Sequence, residues 1–347
     1  MKGGIGDAIL VLRRAAGVTQ EKLAEAVGIT QAALSRYENG MREPDDRAVE
    51  ALSQALRVTS DLIRHGFRLE GGMAADAHMR RRGAAKPSDW KRVEARLNAA
   101  RMHSSFLLER ISMNPQNHVI QIDPDEHAPE EAAALLRAAW RMPIGPVRNA
   151  IRWIESAGVI VIQEDFGTRR IDGMSQWAGD HAILFLNGAL PTDRRRWTVA
   201  HELGHLALHG RSFGLDAEDQ ADRFAAAFLM PAHVISPELT NLSLGKVLDL
   251  KVEWGVSMQA IFERAYDLGK VTIEDRQRFH HQMGQRGWKA REPGADLLPP
   301  EEPELAASIS RRLDQSGLTR SEILQLIGSL EGDTTLFDPP RAVLHLV

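Results

Sequence analysis

Two histidines and a glutamate lie close together in the middle of the chain, in the run His201-Glu-Leu-Gly-His205. Because an α-helix turns once in about 3.6 residues, His201 and His205 fall on the same helix face, where their imidazoles can share one metal ion. Glu202 lies one step round the helix, where it can hold a water molecule rather than the metal. The spacing therefore predicts a helix that binds a metal ion and activates water, the HExxH arrangement of zinc-dependent peptidases.

A third ligand is predicted on the following helix, which spans residues 218–231 and ends at Pro231. Glu218 and Asp222 lie one turn apart on a face beside its apolar stripe. A catalytic zinc site uses three protein ligands and leaves the fourth position to water, so a carboxylate from this helix could complete the site. Alternatively, the two acids only solvate the start of the helix and favour its positive dipole end.

The composition limits which metal ligands the chain can offer and indicates the cell compartment. The chain has 347 residues, of which 43% are hydrophobic and 26% charged, and a prior of about two domains is reasonable. It contains no cysteine, which excludes disulfides, thiolate ligands and a cysteine nucleophile, so a metal site must use histidines and carboxylates. No stretch approaches 18 apolar residues and the first residues lack the apolar core of a signal peptide, so we expect a cytoplasmic protein without a membrane partner.

The elements around the two predicted ligand helices indicate an α+β, mostly helical fold. Two amphipathic helices are predicted at 130–140 and 147–157, followed by three strands at 159–162, 171–177 and 182–187. A small sheet beside a metal-bearing helix is the arrangement of zincin peptidases, in which an edge strand can hold an extended substrate. We expect the last hundred residues to be helical as well.

The first 65 residues are predicted to form short helices separated by tight turns. Thr19 and Thr30 are N-cap residues, Gly28 ends one helix, and Asn39-Gly40 closes the next. Two short helices joined at a glycine turn form a helix-turn-helix unit. Residues 1–65 carry nine Lys/Arg and nine Asp/Glu, so this unit lacks the basic footprint that is usual in DNA-binding domains.

This region closely resembles the Cro/C1-type (XRE) helix-turn-helix family, through the runs Gly17-Val-Thr-Gln-Glu-Lys-Leu-Ala, Gly28-Ile-Thr-Gln and Leu34-Ser-Arg-Tyr-Glu-Asn-Gly. The resemblance implies DNA as a partner and a second helix that enters the major groove. Base contacts would then come from Gln31 (to adenine) and Arg36 (to guanine or a phosphate), and phosphate contacts from Gln20, Ser35 and Asn39. Because the net charge of this unit is zero, the alternative function is dimerisation or docking of a protein partner.

Residues 130–295 resemble the ImmA/IrrE family of metallo-endopeptidases, through Asp172-Gly-Met-Ser, Trp197-Thr-Val-Ala-His-Glu-Leu-Gly-His, Glu218-Asp-Gln-Ala-Asp and Phe224-Ala-Ala-Ala-Phe-Leu-Met-Pro. The resemblance implies that His201, His205 and Glu218 bind Zn²⁺ or another divalent ion and that Glu202 is the catalytic base. Two positions depart from the family pattern. Asp222 stands where asparagine is common and remains a competing ligand, and Gln220 stands where an acid is frequent. The family has a histidine at the position of His209 without a ligand role. No cofactor-binding residues other than these metal ligands are predicted.

Four segments follow from these assignments: a helix-turn-helix domain at 1–68, a basic linker and connecting helix at 69–129, a zincin-like metallopeptidase domain at 130–240, and a helical C-terminal region at 241–347. Between residues 66 and 101, nine Lys/Arg stand against four Asp/Glu. This basic excess either attracts phosphates or is the solvated face of the connecting helix, predicted at 90–108 with Asp89 as a candidate cap.

The two resemblances together predict a DNA-binding transcriptional regulator fused to a zinc metallo-endopeptidase. Its substrate would be a Cro/C1-type repressor or its own N-terminal domain, with residues 71–85 as an exposed candidate for self-cleavage. One alternative is a non-proteolytic transcription factor that uses the zincin-like domain as a sensor or as a dimerisation module. In the second case, the protein would form a homodimer. A third reading is an antitoxin-like regulator.

Overall fold

The structure is a computed structural model that describes residues 4–67, 86–210, 214, 216–289, 291–332 and 334–338. The segment 71–85, which was considered for self-cleavage, and the arginines at 80–82 lie outside the described residues. Among the helices that are described, none is long and apolar enough to cross a membrane.

Five short helices form the N-terminal bundle. The side chains of Thr19 and Thr30 accept hydrogen bonds from Lys22 N and Ala33 N, so both predicted N-caps are confirmed. Gly28 turns the chain with φ of 70°, a conformation that favours glycine. The bundle encloses a small core that includes Ile9, Leu34 and Leu52. The helices are α1 (Ile5–Ala15), α2 (Gln20–Ala26), α3 (Gln31–Glu38), α4 (Asp46–Leu56) and α5 (Ser60–His65).

Helix α6 (Pro87–Leu108) belongs to two cores at once. Met102 and Phe106 are buried with the N-terminal bundle, whereas Val93 and Leu97 are buried against the sheet. The helix begins at Pro87 with Lys86 as its N-cap, so the prediction that Asp89 caps it is wrong. Proline is favoured in the first helical turn because it has no N–H to leave unpaired.

Three basic residues of α6 contact neighbouring parts of the protein. Arg92 donates to the Phe166 carbonyl at 2.8 Å, and Arg96 forms an ion pair with Glu164. Arg101 is buried, with its guanidinium 4.4 Å from the centre of the Phe67 ring. These contacts hold α6 in place, and the buried Arg101 is not part of a solvated face, whereas Arg92 is exposed.

A three-stranded sheet lies at the centre of the second half, in the order β1 (Ile160–Glu164), β3 (His181–Asn187), β2 (Gly173–Ala178). Strand β3 pairs parallel with β1 and antiparallel with β2, with Ser175 opposite Leu184. Strand β2 therefore lies at one edge. One face of the sheet packs against α6, and Val161, Leu184 and Leu186 on the other face join the core of the helices that follow.

The helices on both sides of the sheet in the sequence confirm the mostly helical α+β class. The predicted helix at 147–157 starts later, at residue 150, because Asn149 has a left-handed backbone (φ of 54°) and caps the helix by accepting from Arg152 N. The last helix ends at residue 327, where Gly328 is left-handed. The helices are α7 (Pro129–Ala139), α8 (Ala150–Ser156), α9 (Thr192–Leu208), α10 (Ala217–Leu229), α11 (Ala232–Ile235), α12 (Leu244–Trp254), α13 (Met258–Asp267), α14 (Ile273–Gln285), α15 (Leu305–Gln315) and α16 (Arg320–Ile327), with a 3₁₀ turn at Ala295–Leu297.

The C-terminal helices return to the N-terminal bundle. Val58 and Ser329 form an isolated antiparallel bridge, and Thr59 N donates to the Gly328 carbonyl at 2.9 Å. The half-buried ring of His103 on α6 contacts the Ile327 carbonyl at 2.8 Å. The limits predicted for the four segments stay predictions, but the first and last segments lie in direct contact.

Candidate metal centre

The predicted ligands are brought together by the close approach of α9 and α10. Gly204 faces α10, and a Cβ atom added there would lie 3.1 Å from Phe224 Cδ1 and 3.2 Å from the Cα of Ala221. Glycine at this position therefore lets the two helices approach more closely than a larger residue would. The approach places the first turn of α10, which carries Glu218, beside the histidines of α9.

His201, His205 and Glu218 offer three ligand atoms within 4.8 Å of one another. The Nε2 atoms of the histidines are 3.1 Å apart, and Glu218 Oε1 is 3.2 Å from Nε2 of His205. Glu218 Oε2 is 3.7 Å from Nε2 of His201. All three residues are buried, with exposures of 4%, 2% and 8%. Two imidazole nitrogens and one carboxylate that converge in a buried site fit a zinc ion with a fourth position left for water.

Asp222 lies on the opposite side of His201 from Glu218. Its Oδ1 is 2.8 Å from Nδ1 of His201, whereas the ligand cluster uses Nε2 of the same ring. Burial lowers the pKa of His201, but the hydrogen bond to Asp222 and the carboxylates of Asp222, Glu202 and Glu218 outweigh it, so the net pKa is raised. Asp222 is thus placed to orient His201 rather than to compete with Glu218.

A second chain of contacts leads away from His205. Its Nδ1 is 3.0 Å from Nδ1 of His209, and Nε2 of His209 is 2.8 Å from Oε1 of Gln220. Burial lowers the pKa of His205 to about 4 and also lowers the pKa of His209. Both rings are therefore neutral at pH 7, the state that a metal ligand requires. His209 contacts the Nδ1 atom of His205 and not the ligand atoms, which agrees with the expectation that it has no ligand role.

Glu202 is buried with an exposure of 1% and faces strand β2. The hydroxyl of Ser175 donates to Glu202 Oε2 at 2.7 Å. A Cβ atom on Gly173 would lie 2.6 Å from Thr198 Cγ2, so this glycine keeps β2 close to α9. Ser175 was not among the predicted site residues, although it lies in the Asp172-Gly-Met-Ser run that carries the family resemblance.

The start of α9 is held by buried ion pairs. Nζ of Lys251, which is fully buried, lies 2.5 Å from Asp193 Oδ2 and 2.9 Å from Glu292 Oε2. Arg196 pairs with Glu301 and donates to the Gly255 carbonyl at 2.7 Å. These contacts join α9, α12 and the segment 292–301, and they fix the helix that carries the histidines. The sequence predicts that Arg196 binds a neighbouring carboxylate or helix, and the pair with Glu301 confirms it. The partners of Lys251 could not be predicted, because they lie 41 and 58 residues away.

The predicted DNA contacts lie on or beside α3. Gln31 and Arg36 are exposed, and Gln31 Nε2 donates to Gln20 Oε1 at 2.7 Å. Gln20 in turn donates to the buried Glu38, which pairs with Arg13. Asn39 donates to the Ser35 carbonyl at 2.7 Å and so closes the end of α3. The structure therefore brings the five residues to one side of the bundle and fixes Gln31 through Gln20.

A helix that carries two histidines against a small sheet, completed by a carboxylate from the next helix, defines a metallopeptidase-like domain, here joined to a helix-turn-helix bundle. Comparison with known families agrees with both parts. Residues 154–266 match the Peptidase_M78 family, described as the IrrE N-terminal-like domain, and residues 9–63 match the helix-turn-helix family HTH_3. The chain thus contains an XRE-type helix-turn-helix domain followed by an ImmA/IrrE-like domain. The first implies DNA binding, and the two together suggest a transcriptional regulator.

One curated relative matches the N-terminal part. It is the SPbeta prophage-derived uncharacterized HTH-type transcriptional regulator YonR of Bacillus subtilis (strain 168), which is 33% identical over 61 residues. The match covers 18% of this chain and 56% of the relative, so the chain spans about half the length of the relative it matches.

Proposed function

We propose that this protein is a DNA-binding transcriptional regulator whose second half is a zinc metallo-endopeptidase that cleaves a Cro/C1-type repressor or its own N-terminal domain. The observation that carries the proposal is the convergence of His201, His205 and Glu218 next to Glu202 in a buried site. Histidines with a purely structural role would not need two buried carboxylates, Glu202 and Glu218, beside them. Burying each of these charged groups costs free energy.

The residues of the chain divide the work of hydrolysis. His201, His205 and Glu218 would hold a zinc ion, which would supply Lewis-acid chemistry by polarising a carbonyl and lowering the pKa of a water. Glu202 would act as the general base that accepts a proton from the attacking water and delivers it to the leaving amine. Ser175 donates to Glu202 Oε2 and so fixes the direction in which the carboxylate presents its other oxygen. The edge strand β2 can pair with an extended peptide segment.

The test is incubation of the purified zinc-loaded protein with Cro/C1-type repressors encoded nearby, followed by mass spectrometry of the fragments. We expect cleavage by the wild type and by Glu274→Gln, which changes an exposed glutamate on α14. Glu202→Gln should retain zinc but lose cleavage, because glutamine cannot accept the proton. Cleavage by Glu202→Gln at the wild-type rate would contradict the proposal.

A non-proteolytic regulator is the second candidate, and the shared helix α6 favours it. Because α6 contributes Val93 to the core of the sheet and Phe106 to the core of the bundle, a change at the metal centre can reach the DNA-binding helices through one element. In this case Glu202→Gln regulates a reporter gene as the wild type does, whereas His205→Ala does not. The peptidase proposal expects both variants to fail.

A further inference from the structure

Hydrogen bonds connect Gln220 to His209 and His209 to His205, and Gln220 determines which nitrogen donates in each of them. The amide oxygen of Gln220 can only accept, so Nε2 of His209, 2.8 Å away, carries the hydrogen of that bond. A neutral imidazole has one N–H, so Nδ1 of His209 is then an acceptor. The neighbouring Nδ1 of His205, 3.0 Å away, must therefore be the donor. Nε2 of His205 is left with a lone pair, and this is the atom that faces His201 and Glu218.

We propose that Gln220 is a positioning residue for the metal centre, which sets the tautomer of His205 through His209 so that Nε2 of His205 carries the lone pair that can bind a divalent cation. The inference rests on the proposed metal centre and adds to it a residue that contacts neither the ion nor a ligand atom. Gln220 acts through the relay Gln220–His209–His205.

Geometry and burial support the relay. His205 and His209 are buried, with exposures of 2% and 5%, so water competes little for their nitrogens. Both histidines lie one turn apart on α9, and Gln220 lies in the first turns of α10, two residues after Glu218. The close contact of these helices at Gly204 therefore fixes the ligand carboxylate and the relay together.

The two ligand histidines are thus oriented in different ways. His201 has the carboxylate of Asp222 at its Nδ1, which is the usual kind of partner for a zinc-bound imidazole. His205 has a second histidine and a neutral amide instead. Since an amide can present either its oxygen or its NH₂ group, the bond at Gln220 is compatible with metal binding only when the oxygen faces His209.

The experiment measures zinc affinity by competition with a chromophoric chelator. Gln220→Leu should bind zinc about 10- to 100-fold more weakly than the wild type, the range seen when such supporting residues are removed. Gln220→Glu retains an acceptor and should stay within about threefold of the wild type, and Gln220→Lys, which can only donate, should lose at least as much as leucine. Gln285→Leu is the matched control, because Gln285 also contacts a histidine, His281, but on the exposed surface.

A double-mutant cycle separates the relay from simple packing. In a His209→Leu background, Gln220→Leu should cost no further affinity, because the chain of hydrogen bonds is already broken. Nitrogen NMR shifts of the folded apoprotein should show the Nδ1–H tautomer of His205 in the wild type and a mixture of tautomers in Gln220→Leu. Additive losses, or equal losses for leucine and glutamate at position 220, would overturn the relay while leaving the metal centre intact. A wild-type protein that binds no zinc would overturn the metal centre and the relay together.

Discussion

Replacing Lys251 with methionine removes the cation that lies between two buried carboxylates. Lys251 is fully buried, and Asp193 and Glu292 have exposures of 4% and 8%. Breaking a buried ion pair on one side costs about 3–5 kcal/mol, because the remaining charge stays buried without its partner. Here Asp193 still accepts from Arg194 N, and Glu292 still accepts from Met258 N and Gln259 N. We therefore expect a loss near the lower end, about 3 kcal/mol.

The assay is urea unfolding at neutral pH, followed by circular dichroism. A loss of about 3 kcal/mol should also lower the melting temperature by about 4 °C in a protein of 347 residues. Lys270→Met, which changes an exposed lysine, is the control and should stay within about 0.5 kcal/mol of the wild type. Adding Asp193→Asn and Glu292→Gln to Lys251→Met should recover most of the loss, because no buried charge then remains at the triad. If Lys251→Met unfolds at the same urea concentration as Lys270→Met, this account of the triad is refuted.

Three further predictions concern the metal centre, the core and the DNA-binding face. Ser175→Ala removes a hydrogen bond to a charged group, worth about 1.5–3 kcal/mol, so kcat/KM on a cleavable repressor should fall about 10- to 100-fold with zinc content unchanged by atomic absorption. Burial raises the pKa of Glu155 to about 7 from its ordinary 4.5, so the folded protein holds this proton more tightly and stability falls as pH rises between these values. Glu155→Gln should therefore match the wild type in urea at pH 5 and exceed it at pH 8 by up to about 3 kcal/mol; an equal difference at both values would contradict the shift. Arg36→Ala should weaken binding to the protein's own promoter DNA by about 1–3 kcal/mol in fluorescence anisotropy, and unchanged affinity would exclude Arg36 as a contact.

The sequence predicted the elements that depend on local signals. Two helices at the start of the chain are marked by threonine N-caps, and the histidine spacing alone placed His201 and His205 on one face of a helix. The three strands were predicted from the sequence, and their ends differ from the prediction by at most two residues. Periodicity and capping act over one or two turns of chain, so they can be read without knowing what the element packs against.

The supporting residues of the metal centre could not be predicted in the same way. Gln220 contacts His209 only because α10 crosses α9 at Gly204, and the crossing depends on tertiary packing. Ser175 reaches Glu202 across 27 residues, and Lys251 reaches Asp193 across 58. A serine or a lysine carries no local signal for such partners. The same limit explains why the contribution of the connecting helix α6 to two cores was not predicted.

The double role of α6 bears on which substrate the proposed peptidase would use. Self-cleavage between residues 71 and 85 would separate the N-terminal bundle from α6 in the chain but not in space. Met102 and Phe106 would remain in the core of the bundle, and Val58 would remain paired with Ser329. Cutting there would thus leave the DNA-binding helices attached by noncovalent contacts, and the N-terminal bundle would not be released. Of the two proposed substrates, we therefore favour a separate Cro/C1-type repressor. Size-exclusion chromatography of a chain cut between residues 71 and 85 should show both fragments eluting together, and separate elution would restore self-cleavage as an equal alternative.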